Sequence, residues 1–339
     1  MQRAIAHLSM GLALFLTIIA NQGMAQSKPK QLKGTGWEAL TESAPAVASD
    51  GTNRYVAWKG QSSNNIYFSV FNGATKKWSK QAIVGGSGWT AGTNTAPALA
   101  YDGFESVWLV WKGQGATDRV WYSTWNGSSW AAQQVVNGSG WNSETTATPA
   151  ITFAFGNTPY VAWLGAKGNQ IWYSYILDGW ATQATVSGPK TSIAPALSSN
   201  MTWELDLYSI GSNDDISLTY GEMDSTPIPG WSSGGTVSCS AESNVAPAAA
   251  FFINTAKGPL WDDVVFWKNS SNNAISYSYT CGTVSGSGWS AETNVAPAVA
   301  SSPNAAEAST AAILAWKNAT DNTIWYLDPT TLPGMRGFH

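Results

Sequence analysis

The stretch Thr41-Glu42-Ser43-Ala44-Pro45-Ala46 decides the fold, because close copies of it recur along the chain. In every copy a Pro-Ala pair follows Ala or Thr, and a hydroxyl residue stands four positions before the proline. The prolines are Pro45, Pro97, Pro149, Pro195, Pro247 and Pro297, so successive copies are about fifty residues apart. Repeats of this length with strand-like content are typical of propeller blades.

Each repeat contains four short segments in which apolar and polar residues alternate as they do in antiparallel strands. In the first repeat these segments are 44–48, 55–58, 66–71 and 78–84, and Asn72-Gly73 forms a hairpin turn between the last two. The fourth repeat is degenerate, since its second and third segments lack their Trp residues. We therefore expect an all-β fold, a six-bladed β-propeller of four-stranded antiparallel blades. Seven blades are the less favoured alternative.

The N-terminal segment has the pattern of a secretory signal peptide. Arg3 precedes the apolar run 10–20, and Gly23-Met24-Ala25 is a small-residue cleavage site. We expect residues 1–25 to be removed and residues 26–339 to form a single propeller domain, secreted to the extracellular space or the periplasm without membrane insertion. An uncleaved N-terminal anchor is the alternative.

The ring is expected to close through the N-terminus. The last repeat lacks a convincing outer strand, and the stretch 31–37 resembles the one that ends the other outer strands. An N-terminal strand that completes the last blade would remove two exposed edges. A disordered leader is the alternative.

Composition excludes several classes of function. Charged residues make up 11% of the chain and the net charge is −4, with no basic stripe for nucleic acid. After the expected signal peptide the sequence has one His, His339. Its arginines, Arg54, Arg119 and Arg336, do not occupy equivalent positions of the repeat. His-based catalysis, a metal site and a cofactor are therefore not expected. The adjacent carboxylates Asp214-Asp215 and Asp262-Asp263 are more often solvated than catalytic.

The chain contains two cysteines, Cys239 and Cys281, both after the expected signal peptide. Export permits a disulfide, yet the strand assignment places them near opposite ends of the fifth blade. Pairing is left open.

Candidate binding residues recur in two connections of each repeat. The loop before each inner strand carries a Trp eight residues before the proline in four repeats, then a hydroxyl residue and an Asn or Glu. The turn after the second strand carries Trp-Lys in most repeats. In an up-and-down blade both connections lie at the same end, so these groups should converge on one rim.

This residue set suits a neutral sugar, because an indole can pack on the apolar face of a pyranose and the polar groups can pair its hydroxyls. Several such pockets on one ring would gain avidity on a multivalent surface. The expected ligand-binding residues are Trp37, Thr41, Trp58, Lys59, Tyr67, Trp89, Thr93, Asn94, Trp111, Lys112, Trp121, Trp141, Glu144, Thr145, Trp163, Trp172, Trp267, Lys268, Trp289, Glu292, Thr293, Asn294, Trp316, Lys317 and Trp325.

Each of these residue types also has a structural alternative. The second-strand Trp residues could form core between blades, and the loop Trp residues could cap the blade interface. The loop hydroxyls could satisfy backbone groups in a turn, and the Lys residues could simply be solvated. Sequence also leaves open whether a loop pairs with the Trp-Lys turn of its own blade or of the preceding one.

The order of the motifs resembles a known family. Gly-Trp-x3-Thr-x2-Ala-Pro-Ala, then Tyr-Val-Ala-Trp-Lys-Gly, then Ile-Trp-Tyr-Ser, is similar to the PLL-like bacterial β-propeller lectins of the Photorhabdus type. The resemblance implies inter-blade pockets for fucose or methylated fucose-type sugars. Two features depart from that family, which is usually seven-bladed and commonly lacks a signal peptide.

The expected function is therefore that of a secreted lectin. Its partners would be neutral glycans on cell surfaces or glycoproteins, and a homo-oligomer is left open. A protein-binding or adhesive scaffold is the alternative, and a sialidase-like glycosidase is less favoured.

Overall fold

A computed structural model describes residues 26–115, 118–254, 260–301 and 312–335. These residues form six four-stranded antiparallel sheets around a central channel, which confirms the expected six-bladed β-propeller. The expected signal peptide, residues 1–25, lies outside the described residues.

Within each blade the strands follow chain order from the channel outward, except that the outer strand of blade 6 comes from the N-terminus. The inner strands are Ala46–Ser49, Ala98–Tyr101, Ala150–Ala154, Ala196–Ser199, Ala248–Asn254 and Ala298–Ala300. The second strands are Arg54–Lys59, Val107–Lys112, Thr158–Leu164, Glu204–Ile210, Leu260–Lys268 and Ile313–Lys317. The third strands are Ile66–Asn72, Val120–Trp125, Gln170–Tyr175, Ile216–Glu222, Ile275–Tyr277 and Ile324–Leu327.

The outer strands are more variable. For blades 1 to 5 they are Lys77–Trp78 with Ala82–Ile83, Gln134–Val135, Ala184–Lys190, Gly230–Thr236 and Gly282–Thr283. In blade 6 the outer strand is Lys30–Gln31, which pairs with the third strand through Lys30↔Tyr326 and Gln31↔Trp325. The N-terminus therefore closes the ring as the sequence predicted. A 3-10 turn, Pro329–Thr331, follows the last strand.

Short two-stranded ribbons connect the blades at four junctions among the described residues. They are Lys33–Gly34 with Trp37–Glu38, Gly85–Gly86 with Trp89–Thr90, Asn137–Gly138 with Trp141–Asn142, and Ser285–Gly286 with Trp289–Ser290. The glycine before each of these Trp residues has φ between +77° and +81°, a conformation that side chains rarely adopt. The Gly-x-Gly-Trp motif thus dictates the ribbon locally.

Apolar clusters between neighbouring blades form the core. We name each junction by its two blades, so that junction 1/2 lies between blades 1 and 2. At junction 1/2, for example, Ala57 and Phe68 of blade 1 pack with Leu109 and Trp111 of blade 2. Because alternate side chains of each strand point to opposite blades, one blade contributes to two clusters.

A Trp that lies in the outer strand or four residues before it, which we call the outer-strand Trp, seals four junctions near the outside of the ring. At junction 1/2 Trp130 meets Phe68 edge-on, with ring centroids 4.9 Å apart and an interplanar angle of 74°. The same type of contact recurs as Trp78–Tyr326, Trp180–Tyr122 and Trp231–Tyr173, with interplanar angles of 76° to 80°. In each pair the outer-strand Trp of one blade contacts the third strand of the preceding blade.

A disulfide occupies junction 4/5. Cys239 and Cys281 are bonded, with Cα atoms 5.2 Å apart. Their expected separation at opposite ends of blade 5 was wrong. Cys239 lies on the loop that enters the blade and Cys281 directly precedes the outer strand, so the chain returns to the same place after three strands.

Among the described residues, none of the helices is long and apolar enough to cross a membrane.

Candidate functional site

The inter-blade loops and the second-to-third-strand turns share one face of the ring, which we call the proline rim. The loop amide of each hydroxyl residue donates to a turn carbonyl of the preceding blade, as Thr93 does to Asn64 at 2.8 Å. At four junctions a backbone amide in the second-to-third-strand turn of the blade that follows the loop also donates to the loop, as Gln61 does to the Leu40 carbonyl at 3.0 Å. At these four junctions the loop therefore contacts both blades, which answers the question that the sequence left open.

The loop hydroxyls are buried and bonded within their own turns. The oxygens of Thr41, Thr93, Thr145, Thr191, Ser243 and Thr293 accept the amide two residues ahead at 3.0 to 3.3 Å. All but Thr93 also donate to the carbonyl of that same residue at 2.8 to 3.2 Å. These residues hold the loop in shape, which is the structural role that the sequence left open.

The second-strand Lys residues point into the loop of their own blade. Lys112, Lys268 and Lys317 are buried, and their ammonium groups donate to the amide oxygens of Asn94, Asn244 and Asn294 at 2.8 to 3.1 Å. Lys112 also pairs with Asp118 at 3.1 Å. Burial lowers the pKa of Lys268 and of Lys317. Lys59 is half-buried and bonds the Gly60 carbonyl.

The second-strand indoles form the floor of the junctions. Trp58, Trp111, Trp163, Trp267 and Trp316 are each between 1% and 3% exposed. In this arrangement they belong to the core between blades, one of the two roles that the sequence allowed.

Two half-buried aromatic side chains lie over this floor at four junctions. One comes from the ribbon (Trp37, Trp89, Trp141 or Trp289) and one from the third strand (Tyr67, Trp121, Trp172 or Trp325). At junction 6/1 Trp37 and Tyr67 both stack on Trp58, with centroids 6.5 and 6.0 Å away. At junction 2/3 Trp141 stacks on Trp163 at 6.3 Å with an interplanar angle of 9°.

Glycine backbone supports each ribbon indole from below. A Cβ placed on Gly86 would lie 2.6 Å from Trp89 Nε1, and one on Gly286 would lie 2.6 Å from Trp289 Nε1. No side chain fits there, so the indole is held flat against the ribbon with one face half-covered.

Exposed polar groups stand on the same loops. The exposed residues of this kind on the proline rim are Glu42, Asn94, Glu144, Glu292 and Asn294. Each complete junction thus combines accessible aromatic surface with a carboxylate or amide that can pair hydroxyl groups.

Two junctions lack this set. At junction 3/4 serines replace the three aromatic positions, as Ser187 on the loop and the cross-strand pair Ser209↔Ser217. At junction 4/5 Trp267 remains, but Cys239 is tied into the disulfide and Ser276 stands opposite Trp267.

Sequence reasoning missed the outer-strand Trp contacts. Trp130, Trp180 and Trp231 escaped notice because their distance from the third strand varies with the length of the intervening turn. A Trp near the start of most outer strands was the available signal.

Comparison with known proteins supports the fold. No family model and no curated protein matches the chain. Aleuria aurantia lectin bound to Fucα1-6GlcNAc has a TM-score of 0.62 at 13% identity, covering 89% of this chain and 96% of that one. SapL1 lectin bound to α-methyl fucoside has a TM-score of 0.57 at 14% identity, covering 83% and 90%.

A Hadza microbial sialidase also resembles the chain, with a TM-score of 0.58 at 9% identity. The likeness covers 85% of this chain, which spans only 65% of the sialidase's length. At such identities all three likenesses show the fold alone, and the neighbours include fucose-binding six-bladed propeller lectins.

Proposed function

We propose that this protein is a lectin with four sugar pockets, at junctions 6/1, 1/2, 2/3 and 5/6 of the proline rim. The observation that carries the proposal is a pair of half-buried aromatic rings packed in the same cluster as a buried indole at each of these junctions, beside exposed Asn or Glu. A pyranose needs such a combination, because its C–H face is apolar and its hydroxyls require hydrogen-bond partners.

Half-buried residues are the proposed sugar contacts, and the buried ones support them. Trp89 and Trp121 would hold the sugar at junction 1/2, while Trp111 beneath them and Lys112 with Asn94 keep the pocket in shape. Junctions 3/4 and 4/5 are expected to be empty, since serine and the disulfide replace the aromatic groups there.

A fucose-type sugar is the proposed ligand. Its methyl group adds apolar surface that can lie on an indole. The motif order that resembles the PLL-like lectins and the fucosides named for the two lectin neighbours both support this choice. Export from the cell, as the N-terminal pattern predicts, would bring several pockets to one glycan-bearing surface, where multivalency raises the apparent affinity.

Glycosidase activity is not part of the proposal. Arg54 is bound to Asp328 at 3.4 Å and its guanidinium lies over the Phe71 ring, 5.5 Å from the centroid. Arg119 is exposed at a different position of the repeat. The described arginines therefore form no cluster that could hold a sugar carboxylate.

Isothermal titration with methyl α-L-fucoside, after a glycan array, tests the proposal. We expect about four sites per chain and about three in Trp89→Ala, with Ser187→Ala at the empty junction as the matched control. A well-folded protein that binds no glycan would favour the protein-binding scaffold. An unchanged number of sites in Trp89→Ala would show that the sugar does not bind at junction 1/2.

A further inference from the structure

The central channel contains a chamber that the sugar pockets do not use. A cavity of about 260 Å³ opens away from the proline rim, and a smaller one of about 140 Å³ opens toward it. One ring of residues lines both cavities and separates them: Val47, Leu99, Ile151, Leu197, Ala249 and Val299. The larger cavity, which we call the channel chamber, thus has an aliphatic floor.

The Ser199 hydroxyl on the chamber wall has little unused hydrogen bonding. It accepts the Met201 amide and donates to the Glu204 carbonyl, both at 2.8 Å. Tyr101, Phe153 and Phe251 add aromatic surface. The aliphatic floor and these aromatic rings can therefore receive the apolar body of a ligand, beside polar wall residues such as Ser49 and Thr152. Its volume exceeds the roughly 150 Å³ that accommodates one benzene ring in an engineered cavity.

One side of the wall differs, because two carboxyl groups lie behind it at junction 4/5. Ser198 lines the chamber and donates to Asp263 Oδ1 at 2.7 Å, and Tyr208 donates to Asp263 Oδ2 at 2.8 Å. Asp206, paired with Ser198 across the strands, is 8% exposed, and its Oδ1 has no hydrogen-bond partner among the described residues.

The electrostatics of this side favour a cation. Burial and the charge of Asp263 raise the pKa of Asp206 well above its usual range. Burial and the charges of Asp263 and Glu222 likewise raise the pKa of Glu204. The carboxyl groups repel one another here, so a positive charge held in the chamber beside Ser198 would be stabilised. A metal is not indicated, since the described residues hold no set of three or more such ligands suitably placed.

We propose that the channel chamber binds a small organic cation. Its apolar or aromatic body would lie on the aliphatic ring and against Phe153 and Phe251, and its ammonium group would donate to the hydroxyl oxygen of Ser198, in front of Asp263. Aromatic faces add to the attraction of such a cation. This site is independent of the sugar pockets, which lie on the opposite rim.

Titration calorimetry of the whole protein with 2-phenylethylammonium, the neutral 2-phenylethanol and the anionic phenylacetate tests the proposal. We expect the cation to bind at least about tenfold more tightly than the alcohol, and phenylacetate not to bind. Equal affinities for cation and alcohol would overturn the assignment of the charged side. Absence of binding by the folded protein would overturn the site itself.

Two variants locate the ligand. Asp263→Asn should weaken the cation about tenfold or more while methyl α-L-fucoside binding stays unchanged. If that variant folds poorly, Ala249→Leu serves instead, because it fills the one small position of the aliphatic ring and should abolish cation binding. Cation affinity that survives Ala249→Leu, or an unaltered affinity in a well-folded Asp263→Asn, would contradict the proposal.

Discussion

Single residues of the proline-rim loops have narrow, separable roles. The buried hydroxyl shapes the loop, the glycine admits the indole, and the exposed amide or carboxylate faces solvent. Because these roles are carried by different positions, substitutions at each should change different measurable properties.

Thr145→Val removes a hydroxyl and keeps the side-chain shape. The Ala147 amide, which donates to Thr145 Oγ1 at 3.1 Å, would lose its partner in a buried turn. We expect the free energy of unfolding to fall by about 1–3 kcal/mol, measured by urea denaturation. Sugar selectivity should be unchanged. Loss of one sugar site at unaltered stability would instead give the hydroxyl a direct role in binding.

Gly86→Ala tests the support beneath a ribbon indole. The new methyl group would lie 2.6 Å from Trp89 Nε1, so the indole must tilt away. We expect the stoichiometry of methyl α-L-fucoside binding, measured by titration calorimetry, to fall by about one site. The matched control is Gly230→Ala, where the nearest atom is 3.6 Å away. Unchanged sugar binding in Gly86→Ala would show that the indole position is not critical.

Asp206→Asn tests the buried carboxyl at junction 4/5. Because the pKa of Asp206 is raised to about 9, the folded state binds a proton that the unfolded chain releases above its ordinary pKa of about 4. The free energy of unfolding of the parent should therefore fall as pH rises through this window, by up to about 1.4 kcal/mol per pH unit for this group.

The asparagine variant should lose that part of the slope and become the more stable protein at pH 8. Part of the slope should remain, because the pKa of Glu204 is also raised. Thermal unfolding from pH 5 to pH 8.5 measures both curves, with the exposed Asp178→Asn as control. Parallel curves for parent and Asp206→Asn would contradict the raised pKa.

The strands of a blade have different structural roles. Inner strands of small residues fill the crowded space around the channel, and third strands supply aromatic rings to both neighbouring blades. Outer strands are only two residues long, or two such pieces, in four blades. In blades 1 and 2 the contact of the outer-strand Trp with the preceding blade adds to the few backbone pairs of the outer strand.

Trp130→Ala should therefore weaken junction 1/2. The substitution removes an edge-on contact with Phe68 and leaves a gap between two blades. We expect a loss of about 2–4 kcal/mol in the free energy of unfolding, measured by urea denaturation. Trp203→Ala, at a side chain 64% exposed, should change it by less than about 0.5 kcal/mol. Equal losses of stability in the two variants would show that the Trp130–Phe68 contact does not stabilise junction 1/2.

The junctions around the whole ring are held by three kinds of contact. Four junctions carry an outer-strand Trp, junction 4/5 carries the disulfide, and at junction 5/6 Leu332 and Met335 of the C-terminal stretch are buried in the core. Tyr277 completes this last junction by donating to the Pro333 carbonyl at 2.8 Å.

Reduction of the disulfide should lower the stability of the ring without removing a sugar site. The bond spans 42 residues of chain, which corresponds to about 4 kcal/mol of lost constraint on the unfolded state. We expect a lower unfolding temperature in dithiothreitol and in Cys239→Ser/Cys281→Ser, with unchanged fucoside stoichiometry. Loss of a site on reduction would place a functional pocket at junction 4/5.

Local sequence determined the number of blades, the strand order and the N-terminal closure. A repeat near fifty residues and two-residue alternation are visible without knowledge of the neighbouring blades, and the ribbon needs only Gly-x-Gly-Trp. The degenerate fourth repeat likewise predicted where aromatic groups are missing.

Tertiary structure alone decided which tryptophans remain accessible, because burial depends on the blade that packs opposite. Trp58 and Trp37 are the same residue type in one repeat, yet the first is core and the second is half-exposed. The Cys239–Cys281 bond and the Asp206–Asp263 pair also escaped the sequence. Each joins positions 42 or more residues apart in the chain that only the folding of blade 5 and its packing on blade 4 bring together.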